Sequence, residues 1–275
     1  MNLFDQHLHS KLSFDSRAEP ADNVRRAIEV GLAGLTFTEH YDSHPDEWEE
    51  CVYDHARFTE TIEQLRQQFN RSIHIGKGVE VDYQPDNMPA LIDFVDRGNF
   101  EVVLLSVHWS QGAPIHRKNI WEGKDPSTVT RQYLNSVLQA VRHCQRLHRN
   151  RSRVFDILSH LDFCKRYSNR FAGTVHIAEH IDVIDEILRA CLAADIVPEI
   201  NTSTLRGDLA ETMPGPIVVQ RYAELGGTMM ALGSDSHRAA DIGAGFDHAL
   251  NMLRQAGITN VAVFERRTRR TETIS

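Results

Sequence analysis

The sequence predicts an α/β barrel. Short apolar runs rich in β-branched residues alternate with longer amphipathic segments, which is typical of repeated βα units. No low-complexity linker or fixed-period repeat divides the 275 residues, and α/β barrels commonly reach about 250 residues as one domain. We therefore expect one barrel domain over residues 1–265 and a polar tail over residues 266–275. A doubly wound open sheet is the alternative arrangement of such units.

Seven segments have the length and composition of buried strands, and a short eighth one precedes the tail. These strands are Leu3–Leu8, Gly34–Thr38, Ile73–Val81, Val102–Val107, Val154–Ser159, Ile196–Ile200, Thr228–Gly233 and Val261–Phe264. Helical spacing of apolar residues, with several starts at Pro and ends at Gly, predicts helices between the strands. These helices are Pro20–Val30, His55–Phe69, Pro126–Leu147, His176–Ala194, Pro216–Leu225 and Asp241–Gln255. The Arg- and Thr-rich tail Glu265–Ser275 is expected to be solvated or frayed.

Composition restricts the classes of function. The formal net charge of -8 argues against broad electrostatic capture of nucleic acid, which needs many cations facing phosphates. The four cysteines lack CxxC spacing, and we expect them to be reduced. Neither a signal-peptide pattern nor an apolar run of about 18 residues is present. We expect a cytoplasmic protein with no membrane partner, and the sequence does not indicate its oligomeric state.

A histidine or an acidic residue stands at the carboxyl end of nearly every predicted strand. The first strand ends in DQHLHS, where His7 and His9 are two positions apart and so lie on one face of an extended chain. The corresponding residues at later strands are His40, Glu80, His108, His160, Asp235 and His237. Because the carboxyl ends of barrel strands meet at one face, we expect these side chains to converge.

Convergence of this kind favours metal binding. A single histidine or acid at a strand end is more often a helix cap or a hydrogen-bonded polar residue than a ligand. Imidazole and carboxylate together suit borderline divalent metals, and the set exceeds the three or four ligands of one catalytic zinc. We therefore predict more than one ion. His176 and His180 share a predicted helical face but lack the Glu of an HExxH motif, and we do not expect them to bind metal.

The order of these motifs resembles that of the PHP (polymerase and histidinol phosphatase) superfamily. The segments DQHLHS, TFTEHYD, SVHW, SHLDF, NTSTLR and GSDSH are similar to its histidinol-phosphatase branch. The resemblance covers residues 5–237. It implies a distorted (β/α)7 barrel with a trinuclear metal site at the C-terminal ends of the strands.

Carried over position by position, the resemblance implies a complete ligand set. The implied ligands are His7, His9, Asp15, His40, Glu80, His108, His160, Asp235 and His237. Glu80 would bridge two of the ions, and we expect catalysis to depend most on Glu80, Asp235 and His237. We expect two to three divalent ions, which could be Zn, Mn or Fe because all three accept these ligands.

The implied activity is hydrolysis of L-histidinol phosphate to L-histidinol and phosphate by a metal-bound hydroxide. Arg166, Arg206 and, more weakly, Arg117 are candidate phosphate contacts, because a guanidinium can bind two phosphate oxygens at once. Each could instead be a surface charge. Glu39 and Asp42 are candidates for binding the substrate ammonium group.

Other functions remain open at this point. The barrel could act on another small phosphate ester, or as a PHP nuclease, which would need a basic or aromatic groove for several nucleotides. A non-enzymatic scaffold would be expected to lack ligands, and none is missing. The sequence has neither a GxSxG nor a GxxxxGK[ST] motif, so covalent hydrolases and P-loop NTPases lack support.

Overall fold

The computed structural model describes residues 2–44, 46, 51–70, 72–148 and 153–274. The strands are β1 (Phe4–Leu8), β2 (Gly34–Phe37), β3 (His40–Tyr41), β4 (His74–Lys77), β5 (Val79–Asp82), β6 (Val103–Ser106), β7 (Trp109–Ser110), β8 (Ala113–Pro114), β9 (Ile157–Leu158), β10 (Val197–Asn201), β11 (Ala231–Gly233), β12 (Asn260–Glu265) and β13 (Thr268–Thr273). The helices are α1 (Pro20–Glu29), α2 (His55–Gln68), α3 (Met88–Arg97), α4 (Pro126–His148), α5 (Cys164–Phe171), α6 (Ile181–Ala194), α7 (Pro216–Glu224) and α8 (Phe246–Gln255).

Parallel strands follow one another around a distorted (β/α)7 barrel. One sheet has the order β1-β2-β4, and the other has the order β11-β10-β9-β6-β5-β3. Only Gly78 separates β4 from β5, so one run of chain joins the two sheets. The outer strands β1 and β11 are tied just past their regular ends, where Asp235 N donates to His7 O at 2.7 Å and His9 N donates to Ser236 O at 2.8 Å. The predicted α/β barrel is therefore confirmed, and the open-sheet alternative is not supported.

The predicted helices differ from the helices of the structure in several respects. The segments that form α3 and α5 were not predicted to be helical, because Cys164–Phe171 is short and mostly polar and Met88–Arg97 follows a Pro-containing turn. The predicted helix His176–Ala194 is α-helical only from Ile181, since Ile177–His180 forms a 3-10 turn. The shared helical face predicted for His176 and His180 is therefore wrong.

The C-terminal segment forms a hairpin. Strands β12 and β13 pair antiparallel from Asn260↔Thr273 to Glu265↔Thr268, so the expectation of a frayed tail is wrong for this segment. Arg266 and Arg267 form the turn with φ of 48° and 63°, as a two-residue hairpin turn requires. Such turns are usually marked by Asn or Gly, and an Arg-Arg pair gives no such signal.

An apolar cluster fills the barrel beneath the strand ends. It consists of Val102, Leu104, Ile157, Val197, Ala231, Ala262 and Phe264. Four of its members lie two positions before polar or small residues of the strand ends, namely Ser106, Ser159, Glu199 and Gly233. Side chains two apart on a strand share a face, so the cluster forms the layer below the polar site. Strand β12 contributes Ala262 and Phe264, which makes the C-terminal hairpin part of the barrel core.

Two expectations about chemistry outside the site can also be compared with the structure. The structure forms no disulfide among the four cysteines Cys51, Cys144, Cys164 and Cys191, in agreement with the expectation that they are reduced. Across the described residues, no helix combines the length and the apolar character that crossing a membrane requires.

We predict that Phe264→Ala lowers the free energy of unfolding by about 3–5 kcal/mol, because removal of a buried aromatic side chain leaves a cavity. Phe264 is fully buried, whereas Ile217 on α7 is 44% exposed and Ile217→Ala serves as the control, with an expected change within about 0.5 kcal/mol. Urea denaturation measures both. Equal destabilisation by the two substitutions would contradict the placement of the hairpin in the core.

Candidate metal centre

The Glu80 carboxylate lies at the centre of the strand-end residues. Its Oε2 is 3.3 Å from His7 Nε2, 3.4 Å from His9 Nε2 and 3.1 Å from His40 Nδ1. Glu80 is on β5 and is 1% exposed, so the parallel strands bring three imidazoles from distant parts of the sequence onto one buried oxygen.

The second oxygen of Glu80 has its own set of neighbours. Its Oε1 is 2.9 Å from His160 Nε2 and 3.4 Å from His108 Nε2. Ser106 Oγ donates to the same oxygen at 2.7 Å and is itself hydrogen-bonded to Ser159 Oγ. The serine pair fixes the carboxylate from below while the histidines approach it from the strand ends.

Two aspartates complete the cluster. Asp235 Oδ1 lies 3.5 Å from His9 Nε2 and 3.6 Å from His237 Nδ1. Asp15 Oδ2 lies 2.8 Å from His237 Nε2 and 3.4 Å from His40 Nε2. The structure therefore brings together all nine side chains that the sequence pattern singles out as metal ligands.

Several of these atoms are buried without a hydrogen-bond partner. They include His7 Nε2, His9 Nε2, His40 Nδ1 and Glu80 Oε2. Unsatisfied buried polar atoms cost about 1–3 kcal/mol each and are uncommon in native proteins. The ligand atoms of His7, His9 and Glu80 all lie within 4.8 Å of one another. This set of imidazole nitrogens and carboxylate oxygens fits divalent cations.

The cluster keeps its acids ionised. Burial raises the pKa of the Glu80 carboxyl, but the neighbouring imidazoles of His7 and His40 lower it by more and hold it well below its usual range. Burial likewise raises the pKa of Asp235, and the neighbouring imidazoles of His7, His9 and His237 lower it by more. Both side chains thus carry the negative charge that would balance bound cations.

The local backbone aims these residues at one another. Between Asp5 and Leu8, β1 has one residue more than the facing part of β2, and such bulges redirect side chains near functional sites. Asp5 Oδ1 accepts a hydrogen bond from Ser234 N at 2.9 Å, and its Oδ2 accepts one from Gly243 N at 3.0 Å. This buried carboxylate holds the loop that carries Asp235.

Glu39 and Asp42, both candidates for binding an ammonium group, have different surroundings. The buried Glu39 carboxylate accepts hydrogen bonds from Ser10 N at 3.1 Å, Ser10 Oγ at 2.6 Å and Ser13 Oγ at 2.5 Å. Burial raises the Glu39 pKa to about 7 although the serine hydrogen bonds lower it. Asp42 Oδ1 lies 3.4 Å from His108 Nδ1, and Asp42 also lines a cavity. Of these two residues, Asp42 is therefore the one that lines a cavity beside the cluster, with a side chain that is 5% exposed.

Cavities of contrasting character meet at the cluster. A cavity of about 330 Å³ is lined by seven of the nine candidate ligands, all but His7 and His9, together with Phe163, Arg166 and Tyr167. One neighbour, the cationic cavity, has a volume of about 540 Å³ and is lined by Arg166, Arg170, Arg206 and Arg238, as well as by Asp208, Asp235 and Asp241. The other, the aromatic cavity, has a volume of about 290 Å³ and includes Phe14, Asp42, His116, Phe163 and Tyr167. Arg117 lines none of these three cavities.

Helix α5 connects the two flanking cavities. It carries Arg166, Tyr167 and Arg170, and it is anchored by the buried Lys165. Lys165 Nζ donates to Asp162 Oδ2 at 2.9 Å and to Glu211 Oε2 at 2.7 Å. Arg170 and Tyr167 were not among the predicted site residues, because a short polar helix after the fifth predicted strand has no distinctive pattern.

Known proteins share this architecture. The PHP domain model matches residues 5–203. The probable histidinol-phosphatase of Clostridium acetobutylicum is 31% identical over 271 residues, with 96% of this chain and 98% of that protein covered. The histidinol-phosphatase of Lactococcus lactis is 27% identical over 265 residues, covering 96% of this chain and 95% of that protein.

A crystal structure gives the same result at the level of the fold. The histidinol phosphate phosphatase of Lactococcus lactis, complexed with zinc, L-histidinol and phosphate, superposes with a TM-score of 0.85 at 25% identity, covering 98% of this chain and 99% of that one. The motif order that resembles the PHP superfamily is thus matched by relatives across nearly the whole chain. The chain belongs to the PHP domain family.

Proposed function

We propose that the protein is a metal-dependent phosphomonoesterase that hydrolyses L-histidinol phosphate to L-histidinol and phosphate. The observation that carries this proposal is the convergence of five histidines of the expected ligand set on the Glu80 carboxylate. It occurs in a chain that aligns with histidinol-phosphatases over nearly its full length. We further propose that the enzyme works in the cytoplasm, in keeping with the absence of a disulfide among its four cysteines.

The cofactor in this proposal is a cluster of two to three divalent ions. One ion would be held by His7, His9, Glu80 and Asp235. A second would be held by Glu80, His108 and His160, and a third by Asp15, His40 and His237. Zinc is the first candidate because the related Lactococcus lactis structure contains it, while Mn and Fe accept the same ligands. Bound divalent cations offset the charge of phosphoryl oxygens and lower the pKa of water.

The arginines of the cationic cavity are suited to the phosphate. Arg166 lines both this cavity and the cavity over the ligands. Arg206 Nη2 donates to Ser234 O at 2.9 Å, which fixes the side chain next to Asp235. A guanidinium at either position can bind two phosphate oxygens and hold a monoester against the cluster.

The aromatic cavity is suited to the leaving group. Phe163 and Tyr167 offer ring surfaces on which an imidazole can pack, and Asp42 offers a carboxylate for an ammonium group. The proposed partner is therefore a small phosphorylated amine, and we expect no extended nucleic acid. The net charge of -8 agrees with that expectation.

The decisive experiment compares three substrate classes with the purified, metal-analysed protein. L-Histidinol phosphate, other small phosphomonoesters and short oligonucleotides are incubated separately, and released phosphate or cleaved strands are measured. We expect phosphate release from L-histidinol phosphate at the highest kcat/KM. Cleavage of oligonucleotides alone, or a clear preference for another monoester, would refute the proposed substrate.

We predict that Glu80→Gln removes most activity and at least one metal equivalent, because a neutral amide is a poor bridge between cations. Elemental analysis after zinc resupply should give two to three equivalents for the wild type and fewer for the variant. His176→Ala combined with His180→Ala is the control, since His180 contacts Ser127 away from the cluster, and it should keep the full metal content. Normal turnover and metal content in Glu80→Gln would show that the assignment is wrong.

We also predict that Arg166→Ala and Arg206→Ala each lower kcat/KM by about 10- to 150-fold. This is the loss of one charged hydrogen bond of about 1.5–3 kcal/mol. The corresponding Lys variants keep the charge but lose the forked geometry, so we expect intermediate values and unchanged metal content. Arg117→Ala, on the exposed segment outside the cavities, is the matched control. Wild-type kinetics for both Arg166 and both Arg206 variants would remove these residues from the site.

A further inference from the structure

We propose that Glu199 is a positioning residue that sets the tautomer and direction of the metal ligand His7. The inference rests on the metal centre of the proposed function but not on the identity of the substrate. Glu199 lies on β10, within the buried run Val197–Asn201, and was not among the predicted site residues.

The contact between the two side chains defines the role. Glu199 Oε1 lies 2.7 Å from His7 Nδ1, and both side chains are 1% exposed. A carboxylate accepts but does not donate hydrogen bonds, so His7 Nδ1 carries the proton. In the neutral ring that metal binding requires, His7 Nε2 then has the free electron pair, and this atom lies 3.3 Å from Glu80 Oε2 without a hydrogen-bond partner. Carboxylates placed behind ligating imidazoles orient the ring and raise its basicity.

The other oxygen of Glu199 reaches a second ligand residue. Its Oε2 accepts hydrogen bonds from His160 N at 2.9 Å and from Asn201 Nδ2 at 3.2 Å. One carboxylate thereby orients the ring of His7 and holds the backbone of His160, two residues that contact different oxygens of Glu80. A displacement of Glu199 would disturb both approaches to the central carboxylate.

The neighbouring strand is built to leave room for this pair. A Cβ added to Gly233 on β11 would lie 1.9 Å from Glu199 Oε1 and 2.5 Å from His7 Cβ. No side chain fits there without moving one of the two partners. The close approach of Glu199 and His7 to the backbone therefore explains why position 233 is a glycine. This observation is independent of the hydrogen bond between Glu199 and His7.

The test measures zinc affinity of Glu199→Gln by competition with a chromogenic chelator. An amide has one accepting oxygen, so the variant cannot accept from both His7 and His160. We expect zinc binding to weaken by about 10- to 100-fold, with most of kcat recovered when zinc is in large excess. A fault that is only structural would not be reversed by added zinc.

Glu101→Gln is the matched control, because this carboxylate pairs with Arg66 outside the cluster. It should leave zinc affinity unchanged. Wild-type zinc affinity in a folded Glu199→Gln variant, or equal weakening in Glu101→Gln, would overturn the proposal. If Glu199→Gln does not fold, Glu199→Asp decides: its carboxylate is one methylene shorter, so weaker zinc binding supports the role and unchanged binding overturns it.

Zinc affinity is measured without substrate, so the outcome is separate from that of the substrate comparison. If the protein does not hydrolyse L-histidinol phosphate but Glu199→Gln weakens zinc binding, the result would refute the proposed substrate and support the role of Glu199.

Discussion

The ionised carboxylate of Glu80, buried among five imidazoles, is the constraint on which the rest of the site depends. An isolated charge in a dry interior is strongly unfavourable, so both oxygens of the Glu80 carboxylate need hydrogen-bond donors or cationic neighbours. The Ser106 hydroxyl donates a hydrogen bond to one oxygen from below, while histidines from several strand ends surround both oxygens. Those histidines span residues 7–160 of the chain, and the barrel assembles them because the carboxyl ends of its parallel strands meet at one face.

The two-residue period of the strands organises the support for this carboxylate in layers. Apolar side chains form the lower layer, and the residues two positions later supply Ser106, Ser159, Glu199 and Gly233. These four residues are small or polar because each contacts Glu80, His7 or a residue that is hydrogen-bonded to one of them. The C-terminal hairpin closes the lower layer with Phe264, which links the last strands of the chain to a site made by earlier ones.

Sequence reasoning singled out eight of the residues that cluster around Glu80 and Asp235 because a histidine or acid at the end of a predicted strand can be recognised from the sequence. Asp15, which lies beyond β1, was indicated only by the resemblance to the PHP superfamily. Sequence reasoning did not single out Glu199, since one acid inside the run VPEIN has no spacing partner that marks it. Nor could it separate Glu39 from Asp42, which flank the same histidine. Their difference arises from Ser10 and Ser13, which fold back onto Glu39. The Arg266-Arg267 turn was missed because its conformation usually requires Asn or Gly.

The two cavities beside the cluster differ in a way that bears on substrate choice. Arg166, Arg170 and Arg238 line the cationic cavity, and none forms an ion pair with a carboxylate within the described part of the chain. Their guanidinium groups are therefore available to bind an anion, and each can donate to two oxygens of a phosphate group. Across the cluster, Asp42 and the aromatic rings favour a cationic, flat group. We infer that an ester with phosphate at one end and an imidazole and an ammonium group at the other is bound in one orientation. Arg170 lines both of these cavities, but the other three arginines line only the cationic cavity of the two, and Asp42 lines only the aromatic one.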